Sequence, residues 1–211
     1  MKSKTTTKRN VYKDVLKPTF DKSAAVVGIA MFWWVFAAIA LAVTIDDPGP
    51  PIFTQRRVGK KRNGRIACFK IIKFRTMTKD APAEVPTHMF ENSDEYVTRV
   101  GRILRKYSLD EIPQLFNVLA GDMAWIGPRP HLWNQDDLIR LRERSGANDL
   151  LPGLTGWAQV NGRDDLDVPE KASYDAEYAR EMNAGFRRAL AMDLKVLKRT
   201  FWTVVKAEGS K

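Results

Sequence analysis

Between two blocks of basic residues the chain carries a run, Ala24 to Ile45, that contains no charged side chain. As a helix these 22 residues would extend about 33 Å, enough to cross the hydrocarbon core of a bilayer. A helix of a water-soluble domain is rarely so long and so apolar on every face, because one side normally meets solvent. A secretory leader fits poorly, since the run is too long and no small-residue cleavage site precedes Asp46-Asp47. Charge then constrains the path. Lys2, Lys4, Lys8, Arg9, Lys13, Lys17 and Lys22 lie before the run, and Arg56, Arg57, Lys60, Lys61, Arg62 and Arg65 follow it. The positive-inside bias wants both flanks in the cytoplasm, which one straight crossing cannot provide and a helix that enters, breaks and returns can. Only Gly28 weakens a helix within the run, and Trp33-Trp34 suit the interfacial zone of either a shallow or a spanning element. The expected division is a basic N-terminus with a membrane-inserted helix over 1–47 and a domain at the cytoplasmic face over 48–211.

That domain must meet an anion. The net charge of +10 and pI near 9.8 point to nucleic acid, a phosphorylated substrate or an anionic bilayer. One cysteine, Cys68, excludes an internal disulfide framework and reads as a small apolar strand residue. Pro51 to Gly59 and Arg65 to Arg75 are rich in β formers, and Lys60 to Gly64, with its Asn-Gly turn, joins them as a hairpin. Lys73 and Arg75, two apart on that second strand, can face one side and converge on an anion; a solvated strand face is the plainer alternative. Lys79 to Tyr96 lacks periodicity and reads as a loop placed to act as a lid, with His88 an exposed member.

The densest chemistry lies between Arg105 and Pro130. Pro113 has no N–H for an interior helical turn, so a helix should begin near Leu109 or Asp110. Asp110 and Glu111 then sit at the positive end of its dipole, which favours ionised carboxylates and draws a phosphate to the same place. Ser108 and Glu111 also have capping-box spacing, which would make the pair purely structural. Downstream, Arg129 stands between Pro128 and Pro130 with little backbone freedom, suited to a fixed anion contact or simply to a turn. Beyond it the pattern predicts a charged helix near Asp136 to Arg144, a loop closing at Leu151-Pro152-Gly153 and a turn at Asn161-Gly162-Arg163. A last helix begins near Phe186, with Phe186, Leu190, Leu194, Leu197, Phe201 and Val205 on one stripe. Two placements are open to this basic amphipathic helix: on an anionic membrane surface or over the core.

Ser108-Leu-Asp-Glu-Ile-Pro-Gln-Leu-Phe-Asn-Val-Leu-Ala-Gly-Asp-Met123 followed by Gly127-Pro-Arg-Pro130 resembles the signature of the bacterial sugar transferases, the monotopic phosphoglycosyl transferases. The resemblance extends through Asp46 to Pro50, Lys73 to Met77, Pro152 to Trp157 and Tyr174-Asp175. It departs at two places, where Trp33-Trp34 replaces a Ser-Pro break and Lys17-Pro18 replaces a Lys-Arg pair.

The resemblance implies an α+β fold, mainly helical with a β-hairpin, carrying a re-entrant N-terminal helix and interfacial amphipathic helices. It implies transfer of a sugar-1-phosphate from a nucleoside diphosphate sugar, expected to be UDP-linked, to polyprenol phosphate. This would be the first membrane step of bacterial glycoconjugate or polysaccharide synthesis, at the cytoplasmic face of the inner membrane. Asp110 would be the nucleophile, and Glu111 would orient it or relay a proton. Mg2+ would be held by Asp110 and Glu111. Lys73, Arg75, Arg105, Arg129 and Arg163 would bind phosphates. Anionic lipid is an expected partner and a homodimer is left open. Two rivals, a nucleic-acid binder and a non-catalytic membrane scaffold, explain the charge and the anchor. The first lacks any recognisable DNA- or RNA-binding signature, and the second gives no use to Asp110-Glu111 with Arg129.

Overall fold

The computed structural model describes residues 10–81, 93–162 and 165–205. The architecture is mainly helical with an antiparallel hairpin, as expected. A turn of wider helix, Tyr12–Leu16, leads into the long helix α1, Lys17–Asp46. α1 is not continuous: Phe32 leaves helical geometry (φ −112°, ψ 15°), so two helical pieces meet beside Trp33-Trp34. The break falls there and not at Gly28, whose bare Cα packs near Leu115, where an added Cβ would meet Cδ1 at 3.4 Å.

Both pieces of α1 lie on the same domain. Ala25 of the first packs with Ile71, Val118 and Met123, while Val43 of the second packs with Phe74 and Leu104. The outward side is apolar and uncovered, with Phe20, Val27, Met31, Trp33, Trp34, Leu41 and Ile45 all more than half exposed. The two ends are tied down by polar groups. At the start, the Tyr12 hydroxyl donates to Asp193 at 2.7 Å, Lys17 pairs with Asp193 at 2.9 Å, and Trp125 Nε1 donates to the Asp21 carbonyl. At the finish, Asp46 accepts from the Val100 N–H at 2.8 Å and Asp47 pairs with Arg75.

The hairpin follows as β1, Ile52–Arg62, and β2, Arg65–Phe74. Its turn is shorter than the Lys60 to Gly64 expectation because Asn63 and Gly64 both take positive φ, the conformation a two-residue turn of right-twisted strands requires. A register shift between Val58 and Lys61 absorbs one irregularity. Then come α2, Arg99–Lys106, and α3, Gln114–Ala120, separated by the tight turn Leu109–Glu111. β3, Ala124–Ile126, pairs in parallel with β4, Gly153–Thr155, across α4, Asp136–Ser145. This second sheet was not expected from the sequence.

α5, Val168–Asn183, opens on a full capping box from Asp167 and Glu170, and α6, Phe186–Val205, packs back on it. Their core joins Ile126, Leu150, Trp157, Tyr178, Met182, Met192 and Val196. The face of α6 that covers this core is Ala189, Met192 and Val196, whereas Leu194, Leu197 and Phe201 are more than half exposed. Of the two placements open to the helix, the core is occupied, but by this small face and not by the expected stripe. Lys195 and Arg199 are not free for lipid either, since both lie over the Trp157 ring at 4.3 and 4.7 Å from its centroid.

Candidate active site

The helix expected to start at Leu109 or Asp110 starts later. Pro113 stands immediately before α3, and Asp110 and Glu111 occupy the preceding 3-10 turn. The capping box does not form. Ser108 is left-handed (φ 55°), whereas a capping serine needs extended backbone, and its side chain makes no cap bond. Glu111 is therefore released from a capping role.

Four segments converge on this turn. β2 brings Lys73, whose Nζ donates to Glu111 Oε1 at 2.7 Å and lies 3.8 Å from Asp110 Oδ2. The turn after β3 brings Arg129, whose Nη2 donates to the same Oε1 at 3.0 Å. The last turn of α2 brings Arg105, which donates to Thr76 Oγ1 at 2.9 Å. That approach is close because Gly101 of α2 rests on the Thr76 backbone, where any Cβ would fall 2.2 Å from the Thr76 oxygen. α3 supplies a residue that sequence reasoning missed. Asn117, buried, accepts from the Ile72 N–H at 3.0 Å and donates to the Lys70 carbonyl at 2.8 Å. It serves as a substitute strand on β2 and fixes where Lys73 emerges. Its only trace in the sequence is a polar residue on the buried side of an apolar helix.

Arg75 behaves differently from Lys73. It leaves the strand and pairs with Asp47 at the end of α1, so the two cations meet different carboxylates and do not converge on one anion as their spacing suggested. Arg163, His88, and Lys2, Lys4, Lys8 and Arg9 lie outside the described residues.

The neighbouring carboxylates are treated oppositely. Burial opposes ionisation of Glu111, but Arg129 and Lys73 outweigh it and hold that carboxyl well below the usual range. Asp110 is also buried, and there burial wins: its carboxyl is pushed up, helped by the charge of Glu111 and offset in part by Lys73, Arg105 and Arg129. The expectation that both are ionised is met by Glu111 alone, and through Arg129 and Lys73, not through a helix dipole. Lys73 is Asp110's single ion-pair partner among the described residues. The site thus holds one clamped anion and one carboxylate with oxygens open to another partner, surrounded by cations.

For a metal, the described residues contain no cluster of three or more His, Cys, Asp or Glu. The donor set fits a hard cation that takes one carboxylate from the protein and its other ligands from phosphate and water, which is how magnesium is commonly held. Asp110 suits that role better than Glu111, one of whose oxygens already receives two cations.

The model of the family described as "Bacterial sugar transferase" matches residues 12–207. The chain is 39% identical over 206 residues to a UDP-glucose:undecaprenyl-phosphate glucose-1-phosphate transferase of Caulobacter vibrioides, covering 93% of this chain and 72% of that protein. A protein of the same name from Escherichia coli K12 is 38% identical, with 91% of this chain and 40% of the relative aligned. A UDP-N-acetylgalactosamine-undecaprenyl-phosphate N-acetylgalactosaminephosphotransferase of Aeromonas hydrophila is 33% identical, covering 93% and 45%. The chain thus spans most of the first relative and under half of the other two.

Proposed function

Because the chain belongs to the bacterial sugar transferase family, we propose that it moves a sugar-1-phosphate from a UDP-sugar to undecaprenyl phosphate through a phosphosugar held covalently on Asp110. The observation that carries this reading is the unequal pair: Glu111 is clamped by Lys73 and Arg129, and Asp110 is left open beside it. A carboxylate whose ionised form is poorly stabilised is the better nucleophile of the two, and the adjacent cations suit a phosphate.

In the first step an Asp110 oxygen attacks the phosphorus next to the sugar. The bond to the bridging oxygen breaks, and uridine monophosphate leaves with the electron pair. In the second, a phosphate oxygen of the lipid attacks the same phosphorus and the Asp110 carboxylate departs. Nucleophiles and leaving groups are all anions, so neither step needs a general acid. Glu111, held ionised, accordingly serves as the strut that keeps Lys73 and Arg129 together over the phosphates, not as a proton relay. Lys73, Arg129 and Arg105 offset charge on the non-bridging oxygens, where preorganised donors contribute most. Magnesium, bound through Asp110 with Glu111 beside it, would supply further charge neutralisation on the diphosphate.

We place the protein at the cytoplasmic membrane face with α1 re-entrant. Two features support this: the break at Phe32, and the attachment of both ends of α1 to one charged domain. An assay of release of uridine monophosphate from a panel of UDP-sugars, with and without undecaprenyl phosphate, tests the reading. Release that requires the lipid for turnover is expected, together with a protein adduct of one phosphosugar when the lipid is withheld. Failure of every sugar to release the nucleotide would remove the proposal.

A further inference from the structure

Arg129 is held in an unusual way. In Pro128-Arg129-Pro130 the prolines have no N–H, so the segment can be fixed mainly through its carbonyl oxygens. Each has a donor from a different element. The Gly153 N–H of β4 donates to the Pro128 oxygen at 3.0 Å, Arg142 Nη1 of α4 to the Arg129 oxygen at 3.0 Å, and Arg57 Nη1 of β1 to the Pro130 oxygen at 3.4 Å. The next residue is held as well, the His131 carbonyl accepting from the Val58 N–H at 2.9 Å.

Arg142 is the buried side chain among these donors. Its exposure is 5%, and it is fixed from behind by Asp175 of α5, itself 1% exposed. Arg142 Nε and Nη2 both meet Asp175 Oδ2, at 2.8 and 2.6 Å, which leaves Nη1 pointing at the Arg129 carbonyl and at His131 Nδ1, 2.6 Å away. Arginine only donates, so Nδ1 must accept and the imidazole must be neutral. Burial and the charges of Arg142 and Arg57 push His131 in that direction. A full buried ion pair is weak support for stability, so its use must be sought in what it positions.

We propose that Arg142, anchored by Asp175, is the positioning residue for Arg129. It sets the backbone from which the guanidinium reaches Glu111 and the substrate phosphates, and it transmits the packing of α4 and α5 to the site. The inference rests on the reading of Arg129 as a phosphate contact. Among the described residues the side chains of Arg142 and Asp175 bond to one another, to the Arg129 carbonyl and to His131, and not to Asp110 or Glu111.

The test replaces both charges together, Arg142→Gln with Asp175→Asn, so that no unpaired charge stays buried. Loss of alignment by about 1 Å costs on the order of 100-fold in rate, and this loss in kcat/KM is expected from the pair. Added to Arg129→Ala, the same pair should cost less than about threefold, because residues acting through one another are not additive. Equal losses in the two backgrounds would overturn the proposal and leave a packing role. A second arm needs no turnover. Hydrogen–deuterium exchange of the peptide spanning residues 126–135 should rise in the paired variant, with exchange in α1 and α3 unchanged. Unchanged exchange at 126–135 overturns the positioning role whatever the activity, and a wild-type enzyme silent on every UDP-sugar counts against the parent reading alone. If the pair fails to fold, Arg142→Lys, which keeps a charge beside Asp175 but loses the fork that also reaches the Arg129 carbonyl, should raise exchange over the same peptide. No rise would be decisive against the proposal.

Discussion

At the scale of single residues, two adjacent carboxylates should respond oppositely to the same kind of substitution. Asp110→Asn is expected to abolish turnover and the covalent adduct, because an amide is neither the nucleophile nor a good metal ligand. It should also raise the melting temperature. Asp110 has a native pKa above its unfolded value, so its contribution to stability is present at low pH and is lost as pH rises through the native value. A neutral isostere removes that loss. Glu111 runs the other way: its contribution is present above the unfolded value near 4.5 and is lost as pH falls towards the depressed native value. Glu111→Gln should therefore destabilise, by about 2 kcal/mol for a hydrogen-bonded charge of this kind. Thermal unfolding of both variants checks the pair, and a shift of the same sign in each would defeat the argument. The acid limb of kcat should fall about tenfold per pH unit and begin at higher pH than an ordinary aspartate would give, because the nucleophile must be ionised. Arg129→Lys keeps the charge but loses the planar fork, so kcat/KM should fall by at least about tenfold; an unchanged value would reduce Arg129 to a turn residue. The sequence made the Asp110-Glu111 pair and Arg129 visible, because each belongs to a short local motif. Which carboxylate is clamped was not visible. Lys73 and Arg129 reach Glu111 across 38 and 18 positions, and Asn117 and Arg142 act through contacts that no spacing announces.

Elements with a clear local code were read most accurately. The alternating β formers and Asn63-Gly64 specify the hairpin, and the span of α4 and the start of α6 follow from periodicity. The parallel pair β3 and β4 escaped because three residues carry no period, and the two strands are separated in sequence by α4. α6 is the informative case. A stripe at three- and four-residue spacing states that one face is apolar but not what meets it, and here the core takes the small face, Ala189, Met192 and Val196. Leu194, Leu197 and Phe201 are left facing out, which suits a lipid interface better than water. Replacing all three by Ser should leave the melting temperature within about 2 °C, since exposed positions contribute little to stability. Flotation with anionic vesicles should fall. An undiminished floated fraction would show that α1 alone holds the protein at the membrane.

The whole molecule poses one question that its parts answer jointly: how a helix this apolar sits relative to a domain this basic. Ala24 to Ile45 is long enough to cross a bilayer, yet the start of α1 is bound through Asp193 and its end through Val100 and Arg75, all in one polar domain. A domain of this kind does not straddle a hydrocarbon core, so the re-entrant placement proposed above puts both ends of α1 on one face and requires a turn between them. Phe32, beside the two tryptophans, is the break in α1 that this placement would use. The positive-inside bias reaches the same answer independently, since a straight crossing would export the basic N-terminus. A cysteine introduced at Ser3, in a Cys68→Ser background, should therefore be protected from a membrane-impermeant thiol reagent in intact cells and react after lysis. A second cysteine at Asn63, in the hairpin turn of the domain, serves as the reference for the cytoplasmic face. If the Ser3 position labels from outside while Asn63 stays protected, α1 crosses the bilayer, and the polar ties at one of its two ends must break in the membrane.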